Sequence, residues 1–175
     1  MLSIFRSCLG LDRQADPPTP TKAKQCIFCN VTSERGFNVV YEDDKFTVFT
    51  DRSPGARLHL LCVPKEHIDN VKTLARKDVP MLNEMQAIGH RLLNESGFEP
   101  NMQRLGFHIP PFFSVNHLHL HILGLPTISW KDGIKYKPSI VQPGSNKHKG
   151  FSHFVELNQA ISILESGKRV GVLSV

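Results

Sequence analysis

The stretch His117-Leu118-His119-Leu120-His121-Ile122-Leu123 decides how this chain is read. In a β-strand, side chains alternate faces with period two. Leu118, Leu120 and Ile122 would then meet a core, while His117, His119 and His121 line the opposite face. Successive imidazoles on that face stand roughly 6.6 Å apart, at about 3.3 Å of rise per residue. One histidine on an apolar strand is usually a satisfied structural residue, but three in register are hard to explain as packing. The row suits nucleophilic catalysis, general acid–base catalysis or metal binding.

The flanking sequence supplies the rest of a sheet. Residues 38–42 carry Val39, Val40 and Tyr41, and residues 45–50 alternate Phe46, Val48 and Thr50 against Thr47 and Phe49, with Asp43-Asp44 as a hairpin turn. Residues 58–63 form an apolar run that Pro64 stops, after a loop marked by Ser53-Pro54-Gly55. Residues 77–96 predict a helix: Val79, Leu82, Met85, Ile88, Leu92 and Leu93 recur at helical spacing. Asp78 and Pro80 suit its first turn and Gly97 its end. Residues 102–108 predict another strand, broken by Pro110-Pro111. Residues 124–150, rich in Gly, Pro and Lys, read as a long loop. Residues 152–165 read as a C-terminal helix with Phe154, Leu157, Ile161 and Leu164 on one face. The expected class is α+β: an antiparallel sheet with one long helix and a C-terminal helix.

The 175 residues suit one domain with a real core. Residues 1–24 read as a disordered tail, because Asp16-Pro17-Pro18-Thr19-Pro20-Thr21 cannot hold a helix. The domain is expected over 25–175, with a core at 26–124 and a C-terminal extension at 125–175. No apolar run approaches the roughly 18 residues of a membrane span, so no membrane partner is expected. The opening MLSIFRSCLGL lacks a clear secretory pattern, which favours a cytoplasmic or nuclear location. A net charge of +5 fits an anionic substrate without pointing to nucleic acid. Lys131, Lys135, Lys137, Lys147 and Lys149 form a modest cluster, read as a solvated loop. Four cysteines without a secretory signal argue against a disulfide framework. Cys62 reads as a small core residue. Cys26-x-x-Cys29 alone is a weak zinc signal, equally a pair of reduced buried cysteines.

HLHLHIL resembles the motif of the histidine-triad nucleotide-binding superfamily. Phe49-Thr50-Asp51 with Pro54, then the run His59 to Ile68, follow that family's order and spacing, so the resemblance covers about residues 26–124. The segment Arg104 to Phe112 looks most like the third branch of these proteins, the adenosine phosphoramidases. Aprataxin-type DNA deadenylases have a similar Gly-aromatic-His segment, and residues 146–154 also look somewhat like theirs. No Cys/His pair follows residue 153, however, unlike the zinc finger with which aprataxin continues.

The resemblance implies that His119 is the nucleophile and that His121 and His59 flank the phosphate. Ser114 would contact the scissile bridge, and Asp51 would accept the ribose hydroxyls. Phe28, Phe46 and Phe49 are the candidates to hold a purine base, with Phe49 foremost. His108 stands where better-known members carry an Asn. The resemblance also implies a structural zinc site of Cys26, Cys29, His67 and His117, with no cofactor for catalysis. The expected activity is hydrolysis of AMP–amine phosphoramidates through a nucleotidyl-histidine. The alternatives are deadenylation of 5′-AMP-DNA, dinucleoside polyphosphate hydrolysis, or a nucleotide-binding module. A homodimer is expected; the Met81 to Leu93 stripe is a candidate interface, though core packing explains it equally well.

Overall fold

The computed structural model of the chain describes residues 26–112, 114–141, 144–173 and 175. The expected tail, including Cys8, lies outside the described residues. The strands are β1 (Val39–Glu42), β2 (Phe46–Thr50), β3 (Ala56–Pro64), β4 (Gln103–His108), β5 (Leu120–Thr127) and β6 (Phe154–Glu156). The helices are α1 (Val79–Glu95), α2 (Trp130–Lys135) and α3 (Leu157–Glu165). Among the described residues the strands form one sheet in the order β1-β2-β3-β5-β4-β6, with every pairing antiparallel. The class is α+β, as expected.

The period-two pattern divides the sheet into two faces. Phe46, Val48, Leu60, Cys62, Leu105, Phe107, Leu120, Ile122 and Val155 enter the main core with the buried stripes of α1 and α3. Phe49, Leu61, Leu123 and Phe154 lie in two smaller clusters on the opposite face, with Phe28 and Tyr136. That second face carries the histidines. The β3–β5 register sets Leu61 opposite His121 and Leu123 opposite His59, so the two histidines are diagonal neighbours. The expected alternation along residues 45–50 holds for the faces, with Phe46 and Val48 in the main core and Phe49 on the other side, although Phe46, Thr47, Val48 and Phe49 are all buried. β2 is covered on both faces, so alternation of burial disappears.

α1 closes as its sequence predicts: Pro80 sits in its first turn and Gly97 follows it at φ 79°, the left-handed conformation that glycine adopts without Cβ strain. Leu82, Met85 and Leu93 are fully buried, so the core takes up the stripe considered for a dimer surface.

Three expectations are corrected. First, the ladder begins at Leu120, so only the second half of the histidine row is paired strand. Second, residues 124–150 are not one loop: β5 continues to Thr127, and Ser129 caps α2 by accepting from the Asp132 N–H at 3.2 Å. Proline is tolerated at 126 because β4 pairs with β5 only as far as Gly124, which leaves no ladder bond on that side to lose. Third, Phe154 belongs to an edge strand rather than to the C-terminal helix, paired opposite His108.

Candidate active site

The face opposite α1 holds a cavity of about 770 Å³, whose wall includes Phe28, Phe49, Asp51, Ser114, His119 and His121. His108, Phe37, Lys135 and Tyr136 line the same cavity. The β4–β5 register places Gly106 opposite His121, and period two then puts His108 on the same face. Their rings lie 4.8 Å apart.

Hydrogen bonds assign the tautomers around this cavity. The His119 Nδ1–H donates to the His117 carbonyl at 2.6 Å, which leaves Nε2 as the nitrogen with a free lone pair. Burial holds this imidazole below its ordinary pKa, although the His117 carbonyl and the Asp51 carboxylate pull the other way. His59 accepts from the Gly55 N–H at Nδ1 (3.1 Å), so its proton must sit on Nε2. That Nε2–H donates to His121 Nδ1 at 2.9 Å and lies 3.3 Å from Asp51 Oδ2. The proton of His121 is thereby driven to its own Nε2. This N–H has no partner among the described residues. A buried, unpaired donor is costly unless a ligand satisfies it. The chain Gly55–His59–His121 therefore aims one fixed donor beside His119, whose Nε2 keeps its lone pair.

The site departs from expectation in several ways. His59 is only 1% exposed and stands behind His121 rather than on the cavity wall, so it acts through His121. Phe46 packs in the main core on the other face. Phe28 and Phe49 do line the cavity, edge to face with centroids 5.3 Å apart, and Phe37 joins Phe49 at 5.0 Å. Asp51 Oδ1 accepts from the Ser53 N–H at 2.8 Å, which fixes its carboxylate at the cavity rim. Ser114 is exposed on the wall. Both nitrogens of His108 are buried and unpartnered among the described residues, and burial depresses it to about 4. His59 is likewise held at about 4, mainly by burial. Sequence reading missed Phe37, Lys135 and Tyr136. Lys135 had a signal in the basic cluster, but α2 rather than a solvated loop presents it to the cavity.

His117 faces a different group. Ligand atoms of Cys26, Cys29, His67 and His117 all lie within 4.8 Å of one another. Cys29 Sγ is 3.2 Å from His67 Nδ1 and 3.5 Å from His117 Nδ1, while Cys26 Sγ is 3.4 Å from His117 Nδ1. Tetrahedral zinc, with bonds of about 2.3 Å to sulfur and 2.0 Å to nitrogen, sets such S···N edges at about 3.5 Å. Each imidazole is also oriented from behind: the His117 Nε2–H donates to the Pro64 carbonyl at 2.8 Å and the His67 Nε2–H to Asp69 at 3.2 Å. Donor types, spacing and backing all fit a closed metal site.

The family described as scavenger mRNA decapping enzyme C-term binding matches residues 25–137. The chain is 39% identical over 115 residues to the bifunctional adenosine 5′-phosphosulfate phosphorylase/adenylylsulfatase HINT4 of Arabidopsis thaliana, covering 64% of this chain and 78% of that protein. This chain belongs to the histidine-triad superfamily. It is also 37% identical over 120 residues to the adenosine 5′-monophosphoramidase HINT3 of Danio rerio, covering 67% and 74% of the two chains. Aprataxin of Gallus gallus is 34% identical over 85 residues, 48% of this chain and 26% of that one. The solved histidine-triad family hydrolase from Legionella pneumophila Philadelphia 1 is 31% identical with a TM-score of 0.55, covering 62% of this chain and 99% of that chain. In this histidine-triad chain, residues 138–175 lie beyond the family match, although residues 138–140 and 150–154 wall a second cavity.

Proposed function

We propose that this protein hydrolyses the P–N bond of adenosine 5′-phosphoramidates, releasing AMP and an amine. One observation carries this reading: a histidine whose Nδ1–H is bound to a carbonyl, leaving Nε2 nucleophilic beside the unpaired Nε2–H of His121. His119 Nε2 attacks the α-phosphorus, the N–P bond to the enzyme forms, and the bond to the amine breaks as the amine takes a proton from the Ser114 hydroxyl, which regains one from solvent. Water then cleaves the phosphoramidate on His119. The His121 N–H stabilises the phosphate oxygens that gain charge, and its direction is fixed before substrate arrives. Asp51 holds the ribose hydroxyls, Phe28 and Phe49 flank the base, and Ser114 at the rim contacts the leaving amine.

The Cys26, Cys29, His67 and His117 group would hold a structural zinc ion, which supplies cross-linking rather than phosphoryl chemistry. His117 joins the two sites: its side chain belongs to the metal group and its carbonyl orients His119.

The decisive experiment measures turnover of an AMP–amine phosphoramidate and of 5′-adenylated DNA side by side, with His119→Ala as control. Faster cleavage of the phosphoramidate, lost in the variant, supports the reading. DNA as the better substrate would replace it with an aprataxin-like one.

A further inference from the structure

The helix α2 buries none of its own side chains. Across residues 128–140 only Tyr136, which ends the helix, is buried, and it is among the fully buried side chains of the molecule. A helix this short is not stable on its own backbone bonds, so Tyr136 is its anchor. Arg104 fixes the anchor by donating from Nη1 to the Tyr136 carbonyl at 3.2 Å. The ring lies over the histidines, outside the main core. Its centroid is 5.2 Å from that of His108, 5.3 Å from His59 and 5.4 Å from His121, with Phe154 at 5.8 Å.

The same ring bears on the first link of the proton chain. Gly55 is buried, and a Cβ there would lie 2.5 Å from Tyr136 Cε2 and 3.3 Å from Cζ. Only glycine lets the backbone come so close to the ring. The Gly55 carbonyl accepts from the Ile128 N–H at 3.0 Å while its own N–H donates to His59 Nδ1 at 3.1 Å. One aromatic ring therefore touches Gly55, His59 and His121, every member of the chain that sets the His121 proton. A neutral imidazole can carry its proton on either nitrogen, and water can bond to both. His121 keeps its proton on Nε2 only while the His59 N–H, and not water, faces its Nδ1.

We propose that Tyr136 is a positioning residue: its ring holds the Gly55 N–H on His59 and keeps water out of the His59–His121 hydrogen bond, which keeps the His121 proton on the nitrogen aimed into the cavity. Its effect on rate rests on the phosphoramidase reading; its effect on the protons does not. With the ring in place, His121 meets a phosphate oxygen with a donor. With the proton on Nδ1 it would meet that oxygen with a lone pair and repel it. Loss of the ring also changes His59. Asp51 and Asp132 favour its charged form, Lys135 and His119 oppose it, and burial outweighs them all in holding it at about 4. Water admitted beside it removes that burial and raises its pKa toward the ordinary 6.5. A doubly protonated His59 can no longer accept from Gly55.

The test uses the full chain with Tyr136→Leu, Tyr136→Phe and Gly55→Ala. Histidine-selective nitrogen NMR reads which ring nitrogen of His121 carries the proton, without substrate. In Tyr136→Leu the Nε2–H form is expected to give way to a mixture, and kcat for an AMP–amine phosphoramidate to fall by about a hundredfold with KM little changed, the scale of one lost transition-state donor. The acid limb of the kcat profile should move up in pH. Tyr136→Phe, which restores the ring without the hydroxyl, should recover all three readouts. Gly55→Ala displaces the ring from the opposite side and should reproduce the Tyr136→Leu changes. If Tyr136→Leu only melts lower, with His121 protonation and kcat as in the native protein, Tyr136 is a core residue and the inference is overturned. A Tyr136→Phe protein that behaves like Tyr136→Leu would assign the task to the hydroxyl and overturn it too. If the native protein turns over no phosphoramidate, the phosphoramidase reading fails and the spectra alone decide: a shifted His121 proton in Tyr136→Leu supports the positioning role, and an unshifted one overturns it.

Discussion

At the scale of single residues, the site depends on where protons sit. His119→Ala removes the nitrogen proposed to attack but leaves the cavity, so turnover should fall by about a thousandfold or more while AMP binding persists. Retained turnover would transfer the nucleophilic role elsewhere. His59 and His108 carry a pH signature. Both are held neutral by burial, at about 4 against an ordinary 6.5. In the unfolded chain they take up protons below pH 6.5, whereas the folded chain binds them only near pH 4. Across that window the unfolded state binds more protons, so stability falls as pH is lowered. The melting temperature should therefore drop steadily between pH 6.5 and 4, and His108→Asn should flatten part of the slope. An unchanged slope in that variant would show that His108 is already protonated in the folded protein.

At the scale of elements, Gly106 lets β6 close the sheet. A Cβ there would strike the Val155 carbonyl and come 2.5 Å from Phe154 Cζ, leaving no room for the edge strand beside the site. Gly106→Ala should cost about 2 kcal/mol through overpacking, read as a lower denaturation midpoint. A neutral result would show that β6 shifts freely. The proposed zinc acts at the same scale, tying the turn at Ile27–Cys29 to His67 and His117 behind the sheet. Cys29→Ser should lose the metal by elemental analysis and lower the melting temperature, and chelator should do the same to the native protein. Because the His117 carbonyl orients His119, activity should fall with the metal. Native protein that melts identically with and without chelator would refute the cross-linking role.

At the scale of the whole molecule, residues beyond the family match are clasped to one another by Lys149, a cation buried among carbonyls with burial lowering its pKa. Lys149→Met keeps the length of the side chain but leaves three carbonyls without their charged donor. The expected loss is about 3 kcal/mol, concentrated in residues 149–156 and 172, and visible as faster amide exchange there than in α1. Uniform protection would mean that this clasp does not hold the C-terminal part.

The sequence by itself determined the antiparallel sheet, the long helix and its ends, and the residue types of the site. Periodicity and end signals are local, and HLHLHIL admits few alternatives. Its limits were equally physical. The loop reading of residues 124–150 failed because Gly124 and Pro126 look like breakers, yet Pro126 sits where the β4 side of β5 has no ladder bond to lose. Which partners each histidine meets was decided only by tertiary structure. Which nitrogen carries the proton depends on partners from distant segments: the His117 carbonyl for His119, Gly55 and His59 for His121. Whether a phenylalanine faces the core or the cavity, as for Phe46 and Phe49, depends on what covers each side of the sheet. Tertiary structure also turned Lys135 and Tyr136 from a loop, and Phe154 from a helix, into cavity walls, because α2 and β6 return to the histidine face only through long-range packing.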